Sequence, residues 1–133
     1  MNFTNCSCRI SCTPAAAIAA AIIGVIAAFL QITGVITVTA AFLWVTFGIA
    51  VVYLGILAAT VGMSPRAAGC CTPIGALLAG ILGTVLFSVI QLAVGITATA
   101  VISAIFTGLL LFFFTLTIGG TACYIRCAVD CAA

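Results

Sequence analysis

The chain has 133 residues, 67% of them apolar, and its only side-chain charges at neutral pH are Arg9, Arg66, Arg126 and Asp130. A water-soluble domain of this length needs charge on roughly a quarter of its residues, so a soluble fold is disfavoured and lipid is the expected solvent. The alternative that composition leaves open is a subunit buried among its own copies in a protein sheet or fibre.

In chain order, residues 1–13 form a short cysteine-rich segment holding Cys6, Cys8 and Cys12. Asn2-Phe3-Thr4 and Asn5-Cys6-Ser7 fit the glycosylation acceptor pattern, which is common by chance. No cleavable signal is evident, and the first apolar run is expected to serve as its own signal. A spanning helix needs about 20 mainly apolar residues for a hydrocarbon core about 30 Å thick, and four runs qualify, near 14–33, 36–61, 73–94 and 96–121. Pro14 and Pro73 stand at first-turn positions, with Thr13 and Thr72 as candidate N-caps. Gly34 and Gly95 follow these prolines by about twenty residues and suit tight reversals. The run Ile36-Thr37-Val38-Thr39 alternates apolar and hydroxyl residues and competes as a strand. Helix is preferred there, because lipid-exposed strands must close into a barrel. Gly62-Met63-Ser64-Pro65-Arg66 through Gly69 marks the main internal loop.

The two halves match at an offset of about 60 residues. Cys12-Thr13-Pro14 pairs with Cys71-Thr72-Pro73, Gln31 with Gln91, Thr37 with Thr97, Thr39 with Thr99, Ala40 with Ala100, Gly48 with Gly108, Arg66 with Arg126 and Cys71 with Cys131. Such self-similarity is the mark of duplication. The expected fold is an all-α membrane protein of four transmembrane helices, built as two tandem helical hairpins. Its segments are a cysteine-rich N-terminal piece (1–13), a first hairpin (14–61), a connecting loop (62–72), a second hairpin (73–121) and a cysteine-rich C-terminal piece (122–133).

An even number of spans per half predicts that the termini and the central loop share one side of the membrane. All the cysteines and charges then lie on that rim, and the arginine bias predicts that it faces the cytoplasm during insertion. Within the spans, Ala16, Ala20, Gly24 and Ala28 form a row of small residues at four-residue spacing, matched by Ala76, Gly80, Thr84 and Ser88. Rows of this kind let helix backbones approach closely, and the first and third helices are expected to meet through them. Ala40 and Gly48, against Ala100, Ala104 and Gly108, suggest close packing on the second and fourth helices. Phe112, Phe113 and Phe114 read as bulk facing lipid or a neighbour.

Gln31 and Gln91 are the most polar side chains in the spans. Facing one another, with Thr37, Thr39, Thr97 and Thr99 as a vestibule, they would make a substrate site. The favoured reading is structural, since an interhelical amide bond contributes only about 0.6–2 kcal/mol and amides near helix ends reach caps or interfacial water.

Catalysis finds little footing. There is no histidine, lysine or glutamate, and Asp130 has no general-base partner, so no enzyme is expected. Ion pumping normally places ionisable residues inside the spans, and none is there. The cysteines Cys6, Cys8, Cys12, Cys70, Cys71, Cys123, Cys127 and Cys131 are instead the candidates for cross-links within or between subunits. Their eight sulfurs allow on the order of 100 internal pairings, so connectivity is not readable. Should the fourth helix continue past the membrane, Cys123, Cys127 and Cys131 share one of its faces.

Thiolates also favour soft metal ions. The adjacent pair Cys70-Cys71 beside a membrane hairpin resembles bacterial mercury-uptake proteins. That resemblance, limited to the pair and the architecture, implies capture of a soft ion. In the alternative metal reading of the rim thiols, Cys70, Cys71, Cys123, Cys127 and Cys131 are the metal set. Those proteins place a cysteine pair in or near a transmembrane helix for relay, whereas the interiors of the expected spans here hold no cysteine.

The reading that composition and pattern favour is a structural, self-assembling membrane protein, homo-oligomeric in the lipid bilayer and locked by rim cysteines. The runner-up is a small transporter or channel collecting soft metal ions. No cofactor and no nucleic-acid partner are expected. Cytoplasmic thiols stay reduced, so persistent disulfides require either the inverse orientation or oxidation after release, as in the envelope layers of bacterial spores.

Overall fold

The computed structural model describes residues 12–63, 71–94 and 100–132. The segments 1–11, 64–70, 95–99 and residue 133 lie outside this description, as do the side chains of Thr13, residues 60–63 and 71–74, and Cys127, Ala128 and residues 130–132. The described chain forms four α-helices: α1 (Cys12–Ile32), α2 (Ala40–Met63), α3 (Cys71–Val94) and α4 (Ala100–Ala132). Each contains an apolar stretch long enough to cross a membrane.

Local chemistry explains the ends. Gly34 takes φ +75°. Its amide donates to the Gln31 carbonyl at 3.1 Å and the Val35 amide to the Leu30 carbonyl at 3.0 Å, the two bonds of a Schellman cap. Only glycine adopts this backbone without a Cβ penalty, so α1 stops where the sequence placed its reversal. By contrast, α2 starts later than its apolar run. Residues 36–39 are neither helix nor strand, and Thr39 caps α2 instead, its Oγ1 accepting from the Phe42 amide at 3.3 Å. A β-branched quartet followed by a capping hydroxyl favours entering the helix after the threonine. At the other starts the helices begin at Cys12 and Cys71, ahead of Thr13 and Thr72, which are therefore first-turn residues and not N-caps. The prolines remain within the first turn, where an amide proton has no helical partner.

Spanning 33 residues, α4 runs about 50 Å at 1.5 Å per residue. It outlasts a bilayer core of about 30 Å and carries Cys123, Cys127 and Cys131 on one continuous helix.

Packing proceeds α1 to α4 to α3 to α2. The small-residue rows of α1 and α3 do not meet one another across a broad face; both lie against α4. A methyl group built on Gly24 would sit 2.8 Å from the Gly108 carbonyl oxygen, and one on Gly119 would sit 2.8 Å from Ala16 Cβ. Across the other side of α4, a methyl on Gly80 would lie 2.9 Å from the Thr117 amide nitrogen, and one on Gly120 would lie 3.2 Å from Leu77 Cα. At Gly24, Gly80 and Gly108 the contact requires glycine, because a Cβ there would displace backbone; at Gly119 and Gly120 it is merely tight. The resulting core holds Ala20, Leu77, Ile81, Thr84, Ser88, Ala104, Thr107 and Leu110, while Ala28 and Ala76 are half-buried at the edges of their rows.

Of the three phenylalanines of α4, Phe112 and Phe113 fill these seams instead of facing outward. All are half-buried. Phe113 stacks on Phe87 with centroids 5.4 Å apart and occupies the space left by the missing side chain of Gly83, while Phe112 lies against Gly24. Buried hydroxyls satisfy themselves within their own helices: Thr84 donates to the Gly80 carbonyl at 2.7 Å, Ser88 to that of Thr84 at 2.7 Å, and Thr117 to that of Phe113 at 2.9 Å. That back-bonding lets hydroxyl residues sit in an apolar interior.

On α2, Leu43, Thr46, Ala50 and Leu57 are buried, and Leu57 joins Leu77 and Ile81 in a cluster flanked by Tyr53 and Leu54. The opposite face is bare. Ala40 is exposed, and nothing lies within 4 Å of a methyl placed on Gly48 or Gly55, so Ala40 and Gly48 do not do on α2 what Ala104 and Gly108 do on α4.

Two substitutions separate these environments. Gly108→Val is expected to lower stability in detergent by about 1–3 kcal/mol, the range for overpacking. Gly48→Ala is expected to leave it unchanged or raise it by up to about 1 kcal/mol through helix propensity. Thermal or denaturant unfolding followed by circular dichroism reads both.

Candidate functional site

Two features at opposite ends of the α1–α4 seam carry the chemistry of the described residues. The first is covalent. Cys12, the opening residue of α1, forms a disulfide with Cys123 of α4, with Cα atoms 6.0 Å apart at a sequence separation of 111. The antiparallel packing of α1 on α4 brings them together, and Ala16 against Gly119, one turn inward, sets the separation. Cys123 is buried and Cys12 half-buried.

Among the other candidates, Cys6, Cys8 and Cys70 lie outside the described residues, as do the side chains of Cys71, Cys127 and Cys131. No group of three His, Cys, Asp or Glu side chains gathers among the described residues. Cys123, once disulfide-bonded, is not a thiolate and does not serve as a soft-metal ligand.

The second feature is a polar cluster at the far end of the seam. Gln31, in the last turn of α1, donates from Nε2 to Ser103 Oγ at 3.0 Å. Gln91, near the end of α3, donates from Nε2 to Thr107 Oγ1 at 2.6 Å and approaches the Ser103 carbonyl at 3.4 Å. Thr107 Oγ1 in turn donates to the Ser103 carbonyl at 2.9 Å. Both glutamines thus converge on one turn of α4 from its two flanks. Gln91 is 5% exposed and Thr107 1%, so the bond between them forms away from water.

Among the described residues, Gln31 Oε1 and Gln91 Oε1 are buried without a hydrogen-bond partner. Such an oxygen costs about 1–3 kcal/mol when nothing donates to it. For Gln91 the orientation is dictated: Thr107 spends its only proton on Ser103, so its oxygen accepts from the Gln91 NH₂, leaving Oε1 as the unpaired end.

Two of the vestibule threonines do not join this cluster. Thr37 and Thr39 are exposed, Thr39 serving as the α2 cap, and Thr97 and Thr99 fall outside the described residues. Ser103 and Thr107 are the partners that sequence reading missed. Their four-residue spacing in an otherwise apolar stretch was the available signal.

No protein-family model, no curated protein and no solved structure matches the chain.

Two outcomes test the site. Replacing Cys12 by Ser, or reducing the native protein, is expected to lower stability by about 2–4 kcal/mol, the usual range for a disulfide closing a long loop. In a variant that keeps Cys12 and Cys123 and carries serine at every other cysteine, non-reducing electrophoresis should show a compact monomer that slows on reduction. In a double-mutant cycle, Gln91→Leu and Thr107→Val should couple by about 0.6–1.7 kcal/mol; additive effects within error would mean that the bond contributes nothing.

Proposed function

We propose that the chain is a structural membrane protein whose covalently closed four-helix unit associates with further copies of itself in the bilayer, with cysteines on one rim locking the assembly. The observation that carries this reading is the outer face of α2. Ala41, Val45, Gly48, Val52, Gly55 and Ala59 are all exposed. They follow alternating spacings of four and three, the period of a helix–helix seam, with small residues at the positions where backbones would approach. Lipid makes no demand for such a pattern; a second helix does. Within the chain, Gly108 is the counterpart of Gly48 in the duplicated half, and it meets Gly24 at backbone distance. A second copy's α2 offers the open glycines the same kind of partner.

Duplication is part of this reading. The starts Cys12 and Cys71, and Ala40 and Ala100, recur at the interval that the sequence repeats. The halves differ in use, since α4 is flanked on two sides while α2 rests mainly on α3.

Rim geometry supports termini on one side. The Cys12–Cys123 bond ties the start of α1 to the late part of α4, and the length of α4 carries Cys127 and Cys131 beyond the apolar core. In this reading the links between copies are made by Cys6, Cys8, Cys70, Cys71, Cys127 and Cys131, whose side chains lie outside the description. A disulfide that persists implies an oxidising setting, such as an envelope layer after release from the cell that made it. No catalytic step is proposed.

The test is a double substitution on the open face, Gly48→Leu with Gly55→Leu. Native mass spectrometry or crosslinking in mild detergent should show the wild type as oligomers and the variant as monomers, with unfolding temperature and the Cys12–Cys123 bond unchanged. Oligomers that survive the substitution would remove α2 from the interface, and a monomeric wild type in bilayers would remove self-assembly altogether.

A further inference from the structure

Among the described residues, the exposed surface is sorted by height along the bundle. Its exposed aromatic rings, Phe29, Phe42 and Trp44, all stand toward the turn end. So do its exposed hydroxyls, on Thr33, Thr37 and Thr39. The one charged side chain described, Arg126, is exposed toward the opposite end. Between these levels the exposed positions hold only apolar side chains and glycine.

The packing contacts fix the heights. Leu57 of α2 lies against Leu77 and Ile81 of α3, so the antiparallel pair brings Trp44 level with Gln91, and Gln91 bonds Thr107 of α4 at 2.6 Å. On α1, the contacts of Cys12 with Cys123 and of Gln31 with Ser103 put Phe29 at the same height. From Thr107 to Arg126, α4 rises about 29 Å at about 1.5 Å per residue, close to the hydrocarbon core of about 30 Å. Tryptophan favours the boundary between acyl chains and headgroups, and arginine reaches that boundary along its apolar stem.

We propose that the bundle is fitted to a phospholipid bilayer whose two hydrocarbon boundaries lie at Trp44 and at Arg126. The Trp44 ring, 62% exposed, rests among the upper acyl chains and gives its indole proton to lipid carbonyl oxygens. Phe29 and Phe42 stand beside that layer, and Thr33, Thr37 and Thr39 lie outside it among the headgroups. The Cys12–Cys123 bond, one turn inside Arg126, sits just within the far boundary. A sheet of packed copies gives no reason for the aromatic and charged levels to stand one bilayer core apart.

The test is the fluorescence of Trp44, the chain's single tryptophan, with the full chain in phosphatidylcholine vesicles brominated either in the upper part of the acyl chain or near its methyl end. Upper-chain bromine should quench Trp44 several times more than chain-end bromine. Stronger quenching by chain-end bromine would overturn the proposal. Quenching by neither lipid would overturn it as well, since Trp44 would then not face acyl chains. Ile18, exposed on α1 near mid-height by the same contacts, supplies the counterpart. Ile18→Trp in a Trp44→Phe background should show the reverse preference, and an upper-chain preference there would contradict the boundaries. Should that variant not fold, the wild-type profile decides alone. Trp44 should keep its profile in the Gly48→Leu, Gly55→Leu variant. Quenching that appears only in that variant would mean that copies cover Trp44, which overturns the lipid contact and leaves self-assembly standing.

Discussion

The backbone contact between Gly24 and Gly108 is the constraint on which the rest of the molecule depends. In an apolar solvent, burying leucine against leucine gains little over leaving it in lipid, so helices hold together only where their surfaces approach closely enough for dispersion and short polar contacts. Glycine permits that approach. With α1 drawn onto α4 at Gly24, the same antiparallel register carries Cys12 to Cys123 at one end and Gln31 to Ser103 at the other. One seam is thus closed by a covalent bond, a bare backbone contact and an amide–hydroxyl hydrogen bond in sequence.

On the other flank α4 meets α3 by related means. Gly80 and Gly120 allow close approach, Phe113 fills the recess at Gly83, and Gln91 reaches Thr107. The longest helix is therefore the axis of the bundle, with α1 and α3 against it and α2 outside. An outer helix whose free face carries small residues at a helix-seam period, Ala41, Gly48, Gly55 and Ala59, is what gives the self-assembly reading its physical content.

How much of this was legible in the sequence depends on the kind of information each residue carries. The four spans followed from run length and apolarity. Gly34 followed from its position, since an αL cap has few residue solutions. The rows at Gly24 and Gly80 were visible as capacity for close packing, yet a small-residue row does not name its partner, and here both rows chose α4. The partner rows on α4, at Gly108 and at Gly119-Gly120, are interrupted by phenylalanines whose role becomes clear only when Gly24 and Gly83 face them. Thr39 as a cap was hidden because β-branched residues around it suit helix or extended chain equally. Disulfide pairing was beyond reach in principle, as connectivity is a property of the fold and not of spacing. Gln31 and Gln91 stood out as polar; that both address the turn of Ser103 and Thr107 required the helix order.

The measurement that bears most directly on the account is disulfide mapping of the native protein: free thiols blocked at once, digestion without reduction, and linked peptides identified by mass spectrometry. The account predicts a Cys12–Cys123 peptide pair formed within a single chain, together with pairs joining other cysteines between chains. Cys12 and Cys123 recovered as free thiols, or all pairs confined to single chains, would contradict a closed unit locked into an assembly.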